Sequence, residues 1–475
     1  MYISVCDFEY LGFGLNLNGR KRNTHYGLGV YKTTNGGLSW QATGLSFQLT
    51  NGDASLIRKI LVRQSNSNHL VACGTNGMYT STDAGATWTN RMDSLFWDLV
   101  QDPVNPDVLY AASGWVYNAN DGSAAIYKSI DFGNTWTLLN TGIPLTGSVQ
   151  RIKLAVAPSD PNRIYAIAVD IDFGLFGIYT SNDAGASWQF SHPGVNILEG
   201  GDGTNSGGQG NYDLGLLVDA NDKDLVYVGG INIWGSNDGA QTFNPVSHWT
   251  LSYGPTVHAD IHFMQQQPQT GNIFVCNDGG IYRTPTIFIH NWTDANNGIP
   301  WPTVWTNLSS GMQVTSFYRL SSSRNSTGRL MAGAQDNGSF YFDGSMWSTI
   351  FGGDGMDNYL DPIDDNSIIG SSQYGYFTQS FDGGFSSNGI NANMNGEVAE
   401  WTTPIVADYN NYGTFYIGYS NVMKSTDNGF SWAPISSFPI PGFADNEISA
   451  MALSNSDPNV LYLSLIHISE PTRPY

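Results

Sequence analysis

The chain has 475 residues, only 12% of them charged, and is rich in Gly, Asn, Ser, Thr and aromatic residues, a composition that excludes a long-helix architecture and suits many short strands joined by tight turns. With 19 Lys and Arg against 40 Asp and Glu the net charge is −21, which repels nucleic acid. No run of about 18 apolar residues is present to span a membrane, and Cys6, Cys73 and Cys276 are odd in number with no CxxC spacing, so they define neither a zinc knuckle nor a disulfide framework.

In chain order, Met1 to Asp7 reads as a strand already in progress, without the basic and apolar regions of a signal peptide, so an upstream portion is expected. One phrase then recurs: Tyr31 to Trp40, Tyr79 to Trp88, Tyr127 to Trp136, Tyr179 to Trp188, a worn copy from Trp234 to Phe243, another from Phe377 to Ser387, and Met423 to Trp432. Its pattern is Ser/Thr-x-Asp-x-Gly-x-Thr/Ser-Trp. The acids Asp83, Asp131, Asp183, Asp382 and Asp427 accept hydrogen bonds from the turn's own N–H groups, and the glycine supplies a positive φ. Trp40, Trp88, Trp136, Trp188 and Trp432 pack on neighbouring sheet. A second phrase, as in Asp102 to Tyr110, Ala157 to Tyr165 and Asp219 to Tyr227, is a turn followed by a strand entry. Each unit therefore reads as four short strands, one propeller blade. Degenerate units at Trp305 and Trp347 bring the count to nine, more than one ordinary ring holds. The expected fold is all-β, two propellers in tandem, with residues 1–308 in the first and 309–462 in the second.

Residues repeated in every blade serve the fold, so chemistry is sought in what does not repeat. If 257–263 is a strand, His258, Asp260 and His262 share one face. Their spacing of about 6.5 to 7 Å is too wide for one metal ion, and a hydrogen-bonded His–Asp cluster lining the channel is expected instead, with no metal and no cofactor. Asn277-Asp278-Gly-Gly, Gln335-Asp336-Asn-Gly and Gly353-Asp354-Gly follow, acids among glycines at strand ends. Glutamates are scarce, so Asp260, Asp336 and Asp354 are the candidate catalytic acids of a glycoside-cleaving pair. Trp115, Tyr117, His258, His262, Asp278 and Gln335 are the candidate ligand contacts, with Trp115 and Tyr117 placed in a polar loop beside Asn and Asp where they suit sugar stacking.

The repeated phrase resembles the Asp-box, or BNR, repeat of sialidases, sortilin and xyloglucan-cleaving enzymes. The sialidase Arg-Ile-Pro phrase is absent, and Arg58, Arg151, Arg283 and Arg319 show no triad pattern. The xyloglucan-active hydrolases are similar in pairing two propellers with one catalytic Asp from each, although their Arg-Thr-Asp-x-Gly-Gly phrase has only Asp7 as a counterpart. The whole chain resembles secreted BNR-repeat proteins of Bacteroidetes-type bacteria, often exported by a type IX system. That resemblance implies an extracellular or cell-surface monomer that binds polysaccharide or protein. The alternatives are an endo-acting hydrolase of xyloglucan or related β-glucan and a sortilin-like receptor. Residues 463–475 resemble a translated sequencing adapter, and the native chain is expected to continue beyond 462.

Overall fold

The computed structural model describes all residues except 7–15, 18–19, 22–26, 49–54, 116–123, 140, 144–146, 250–255, 290–302, 362, 391, 393–395, 439–446 and 465–475. Tyr117 and most of 463–475 therefore lie outside the described residues, while Leu463 and Ser464 close the last strand, Leu461–Ser464. The chain divides into two compact units, Met1–Met312 and Gln313–Tyr475.

Almost every described element is a strand, and consecutive strands pair antiparallel as separate sheets, the blades of β-propellers. In the first unit, blade 1 has three strands, Tyr2–Cys6, Gly27–Lys32 and Gln41–Ser46. Blades 2 to 6 have four strands each and begin with Ile57–Val62, Phe96–Gln101, Val149–Val156, Gly215–Val218 and Ile261–Gln266. In the second unit, blades 7 to 9 begin with Phe317–Ser322, Asn358–Leu360 and Ile405–Ala407, and a hairpin of Ala450–Leu453 with Leu461–Ser464 follows. Within each unit the first strands of successive blades lie against one another. Apolar cores fill the gaps between blades: Tyr165, Ile167 and Val169 of blade 4, for example, meet Leu216, Val228 and Trp234 of blade 5.

The nine positions that close the repeat, seven of them Trp and the others Phe243 and Ser387, all fall just before, or at the start of, a blade's last strand. In blade 4 the Ser181 hydroxyl donates to Asp183 Oδ1 at 2.8 Å and accepts the Gly185 N–H at 2.8 Å. Asp183 also accepts the Ser187 N–H at 2.8 Å and the Ser187 hydroxyl at 2.6 Å. Blades 2, 3, 5, 8 and 9 repeat this arrangement around Asp83, Asp131, Asp238, Asp382 and Asp427, and Asn35 takes the acid's place in blade 1. The turn demands more than one positive φ: Ala84, Phe132, Ala184 and Asn428, each just before the glycine, are left-handed as well. The glycine has a second role, since a Cβ on Gly133 would sit 2.8 Å from Val71 Cγ2 of the preceding blade. Trp188 and Trp432 are buried between blades, whereas Trp40, Trp88 and Trp136 are half-buried.

The Leu-x-Tyr phrase is coupled to this turn. Tyr110 of blade 3 donates its hydroxyl to the Ala184 carbonyl of the blade 4 turn at 3.2 Å, and Lys128 reaches the same oxygen at 3.0 Å. A left-handed residue thus presents its carbonyl to the preceding blade. Ser181→Ala leaves the Gly185 N–H without its acceptor and is expected to destabilise the protein by about 1–3 kcal/mol in urea denaturation, whereas Asn182→Ala, on the exposed neighbour, should stay within about 0.5 kcal/mol.

Candidate functional site

Strand direction separates two ends of every blade. The turns between strands 1 and 2 and between strands 3 and 4 share one end; the entry into strand 1 and the turn between strands 2 and 3 share the other. The repeated aspartates occupy the first end. Asp260, just before Ile261–Gln266, and Asp278, between Ile273–Asn277 and Gly280–Thr284, occupy the second.

The entry end also carries a backbone device that the sequence does not announce. The first strands of blades 2, 3, 4, 6 and 7 each skip one residue in register at their second position, leaving Arg58, Trp97, Gln150, His262 and Tyr318 as bulges. A bulge re-aims its side chain and bends the strand. Different residues are thereby delivered to one end of the blades by a repeated distortion.

The trio expected on one strand face is not built that way. The strand starts at Ile261, Asp260 sits at φ 65°, and His262 is the bulged residue, so the period-two face does not exist. His262 Nε2 instead meets Asp278 Oδ1 at 2.7 Å, and Tyr212 donates its hydroxyl to Asp278 Oδ2 at 2.8 Å. The Tyr212 and His262 rings pack edge to face at 4.8 Å. His258 accepts the Asn277 side-chain amide on its carbonyl and turns its ring toward Gly279.

Tyr212 comes from a Gly/Asn-rich loop before blade 5. That loop is fixed from within by Glu199, which accepts the Gly201 and Gly203 N–H groups. It is fixed from blade 4 by Arg151, 1% exposed, whose Nη1 donates to the carbonyls of Gly210, Asn211 and Tyr212 at 3.0, 3.0 and 3.3 Å. The Arg151 guanidinium lies 4.9 Å from the Trp97 ring. The next loop residue, Asp213, is fully buried, and no N–H or hydroxyl donor reaches either of its oxygens. It faces the Asp260 carboxyl, and an acid–acid contact of this kind needs one proton between the two groups.

Electrostatics divides these carboxyls. Burial, and then the adjoining Asp260, push Asp213 well above the ordinary range. Burial and the negative Asp278 push Asp260 up. Burial acts in the same sense on Asp278, but its bonds to His262 and Tyr212 outweigh it and the net direction is down. Oxygens of Asp260 and Asp278 lie within 4.8 Å of each other, so a carboxyl shifted toward its protonated form stands beside one shifted toward its ionised form.

Deeper in the first unit, Asp98 forms ion pairs with Lys59 at 3.3 Å and Lys153 at 3.5 Å and accepts the Leu154 N–H at 3.0 Å. Burial would raise this carboxyl, yet Lys153 and Lys59 hold it below its usual range. Burial brings Lys153 down to about 7. The sequence does not mark Arg151, Asp213 or Tyr212 as site residues, nor Gln209, whose amide donates to Asp260 Oδ1 at 3.4 Å. The glycines of 200–210 followed by Tyr-Asp were the available signal.

Trp115 does not stand in an exposed loop: it is 8% exposed, its N–H bonded to the Gln150 carbonyl, because Gly114 closes tightly on blade 4. Trp249, by contrast, is 52% exposed and anchors its Nε1 on the Gly200 carbonyl at 3.0 Å. In the second unit both Asp354 oxygens are engaged, by the Asp336 N–H and by the Gln373 amide, and the left-handed Asp336 at φ 59° caps the turn after Gln335. Asp354 thus staples the 335–338 turn to blade 8.

These features define an all-β propeller protein with a carboxyl-rich entry end. No family model matches the chain. A xyloglucanase from Paenibacillus sp is 29% identical over 170 residues, 32% of this chain. The match spans 16% of that protein's length. Among solved structures, an ancestral GH74 enzyme aligns over 93% of this chain and 64% of its own, at 14% identity and TM-score 0.42. The GH74 xyloglucanase from Xanthomonas campestris aligns over 84% and 69%, at 15% identity and TM-score 0.37. PorZ of Porphyromonas gingivalis, a surface component of a type IX secretion system, aligns over 80% and 47%, at 13% identity and TM-score 0.40. Among the described residues no helix is long and apolar enough to cross a membrane.

Two outcomes follow from this chemistry. Asp98→Asn strands the neighbouring Lys59 and Lys153 without their shared anion, and denaturant titration should show a loss of about 3–5 kcal/mol, with Lys153→Met costing less. The Asp213–Asp260 pair holds, above the ordinary carboxyl range, a proton that the unfolded chain has already released within it, so stability falls as pH rises from that range toward the raised folded value. Asp213→Asn supplies a permanent donor to Asp260 and should remove this slope. Parallel stability-versus-pH curves for parent and variant would contradict the shared proton.

Proposed function

We propose that the chain is a glycan-handling propeller protein whose entry end, on blades 5 and 6, performs acid–base cleavage of a β-glucan of the xyloglucan class. The observation that carries this reading is a neighbouring pair of carboxyls shifted in opposite directions, Asp260 upward and Asp278 downward, with oxygens within 4.8 Å of each other. Glycoside hydrolysis needs one carboxylic acid to protonate the leaving oxygen and one carboxylate as base or nucleophile. Asp260 has the first character and Asp278 the second. Tyr212 and His262 hold the carboxylate, Asp213 faces the Asp260 carboxyl, and Arg151 positions the loop that brings both Tyr212 and Asp213. The partial sequence likeness to a xyloglucanase agrees with this substrate class.

A second reading, a surface module that binds glycan without cutting it, is favoured by Trp249, whose exposed indole is pinned at the same end of blade 5. An extracellular setting and a type IX export route fit either reading.

The purified protein would be incubated with xyloglucan and other β-glucans while new reducing ends are counted. Asp260→Asn and Asp278→Asn should each lower kcat by about 10²–10⁴ with KM little changed. Binding without any release of reducing ends would favour the module, and neither binding nor release would overturn both readings.

A further inference from the structure

The turns between strands 1 and 2 of blades 7, 8 and 9 enclose a pocket of about 160 Å³ lined by Arg324, Tyr359, Ile363, Asp408, Tyr409 and Tyr412, with Thr414 behind them. It lies at the blade end that carries the repeated turns, the opposite end from Asp354 and Asp336 in the same unit. We propose that this pocket is a second carbohydrate site, taking one neutral pyranose ring of a polysaccharide. The proposal rests on the glycan reading above and adds a contact which that reading does not use.

The volume sets the scale of the ligand. A cavity of about 150 Å³ admits a benzene molecule, so the space holds one six-membered ring and not an extended side chain. The walls set its character. Tyr409 and Tyr412 are 45% and 52% exposed, while Tyr359 at 8% forms the floor. These rings are braced before any ligand arrives. Tyr359 packs edge to face on Phe415 at 5.0 Å, the Tyr412 hydroxyl is held by Asp361, and the Arg324 guanidinium lies 3.7 Å from the Tyr409 ring centre. Rigid aromatic walls cost a ligand little ordering entropy.

Charge then eliminates alternatives. A cationic guest, the usual occupant of an aromatic cage, would meet Arg324 already stacked there. An anionic guest would meet Asp408, which its bonds to the Asn410 and Asn411 N–H groups and the Asn411 amide help to keep ionised against the opposing effect of its burial. A ring with an apolar face and hydroxyls at its edge suits all the walls at once: tyrosine for the face, guanidinium donors and carboxylate acceptor for the hydroxyls. Three turns and the strand residue Tyr359 meet here, and Asp361 of the blade 8 turn is spent on the Ile363 and Asp364 N–H groups.

Isothermal titration of the whole chain with a β-glucan oligosaccharide tests the site. Tyr409→Ala and Tyr412→Ala should each weaken a class of binding about 3- to 10-fold. Tyr409→Phe, which keeps the ring, should stay within about twofold of the parent, and unchanged melting temperatures would exclude loss of folding. Trp249→Ala should leave this class intact while weakening the other. If the tyrosine variants bind as the parent does while Trp249→Ala loses affinity, the second site is overturned and the glycan reading stands. If the parent binds no glycan, both are overturned.

Discussion

A single hydroxyl, that of Ser181 and its counterparts, organises the outer edge of every regular blade. It bonds a carboxylate two residues on and an N–H four residues on, so three polar groups that a tight turn would otherwise expose or strand are satisfied locally. The consequence is not confined to the turn. With the chain held left-handed at Ala184, its carbonyl points out to the preceding blade, where Tyr110 and Lys128 take it up. The glycine that follows brings the turn close enough for Leu139 of that blade to pack on it. One local hydrogen-bond pattern therefore sets both the hairpin and the distance between blades, which is why a chain with so little charge can stack short sheets reliably.

Because this pattern occupies one end of the blades, the other end is free of it. There the recurring feature is a register skip, a matter of backbone alone, and the residue it presents changes from Arg58 to Trp97 to Gln150 to His262. Stability and chemistry are thus assigned to opposite ends of the same strands. A loop end supported by a rigid sheet is where binding and catalytic groups are most readily varied, and the Gly-rich loop before blade 5 uses that freedom to carry Tyr212 and Asp213 inward.

The features legible in the sequence are those with a short period and a local cause. The Ser-x-Asp-x-Gly spacing identifies the hairpin because the hydrogen bonds close within four residues, and the Trp spacing marks each last strand because the turn fixes it. The tyrosine of Leu-x-Tyr was visible as a strand residue, but its partner lies 74 positions away in the case of Tyr110, and no local pattern encodes that. The reading of His258, Asp260 and His262 failed for a related reason: it assumed regular alternation where a bulge and a left-handed aspartate interrupt it. Trp115 looked like a loop aromatic because Asn and Asp surround it, whereas its backbone is drawn under blade 4 by Gly114. Arg151 gave no signal at all, since its partners are carbonyls, which every residue has.

Depth alone does not explain why the neighbouring carboxyls differ. Asp213, Asp260 and Asp278 are all desolvated, and desolvation raises each of them. What separates them is who donates. Asp278 receives the Tyr212 hydroxyl and faces His262, and those bonds stabilise its charge. Asp213 faces the Asp260 carboxyl instead, and Arg151, the cation that acts on it, spends Nη1 on three carbonyls of the loop that carries Asp213. Arg151 does pull Asp213 downward, but it ranks behind burial and Asp260 among the influences on that carboxyl. The arginine thus shapes the loop more than it neutralises the acid, and by doing so it leaves Asp213 and Asp260 to share a proton in reach of an ionised neighbour.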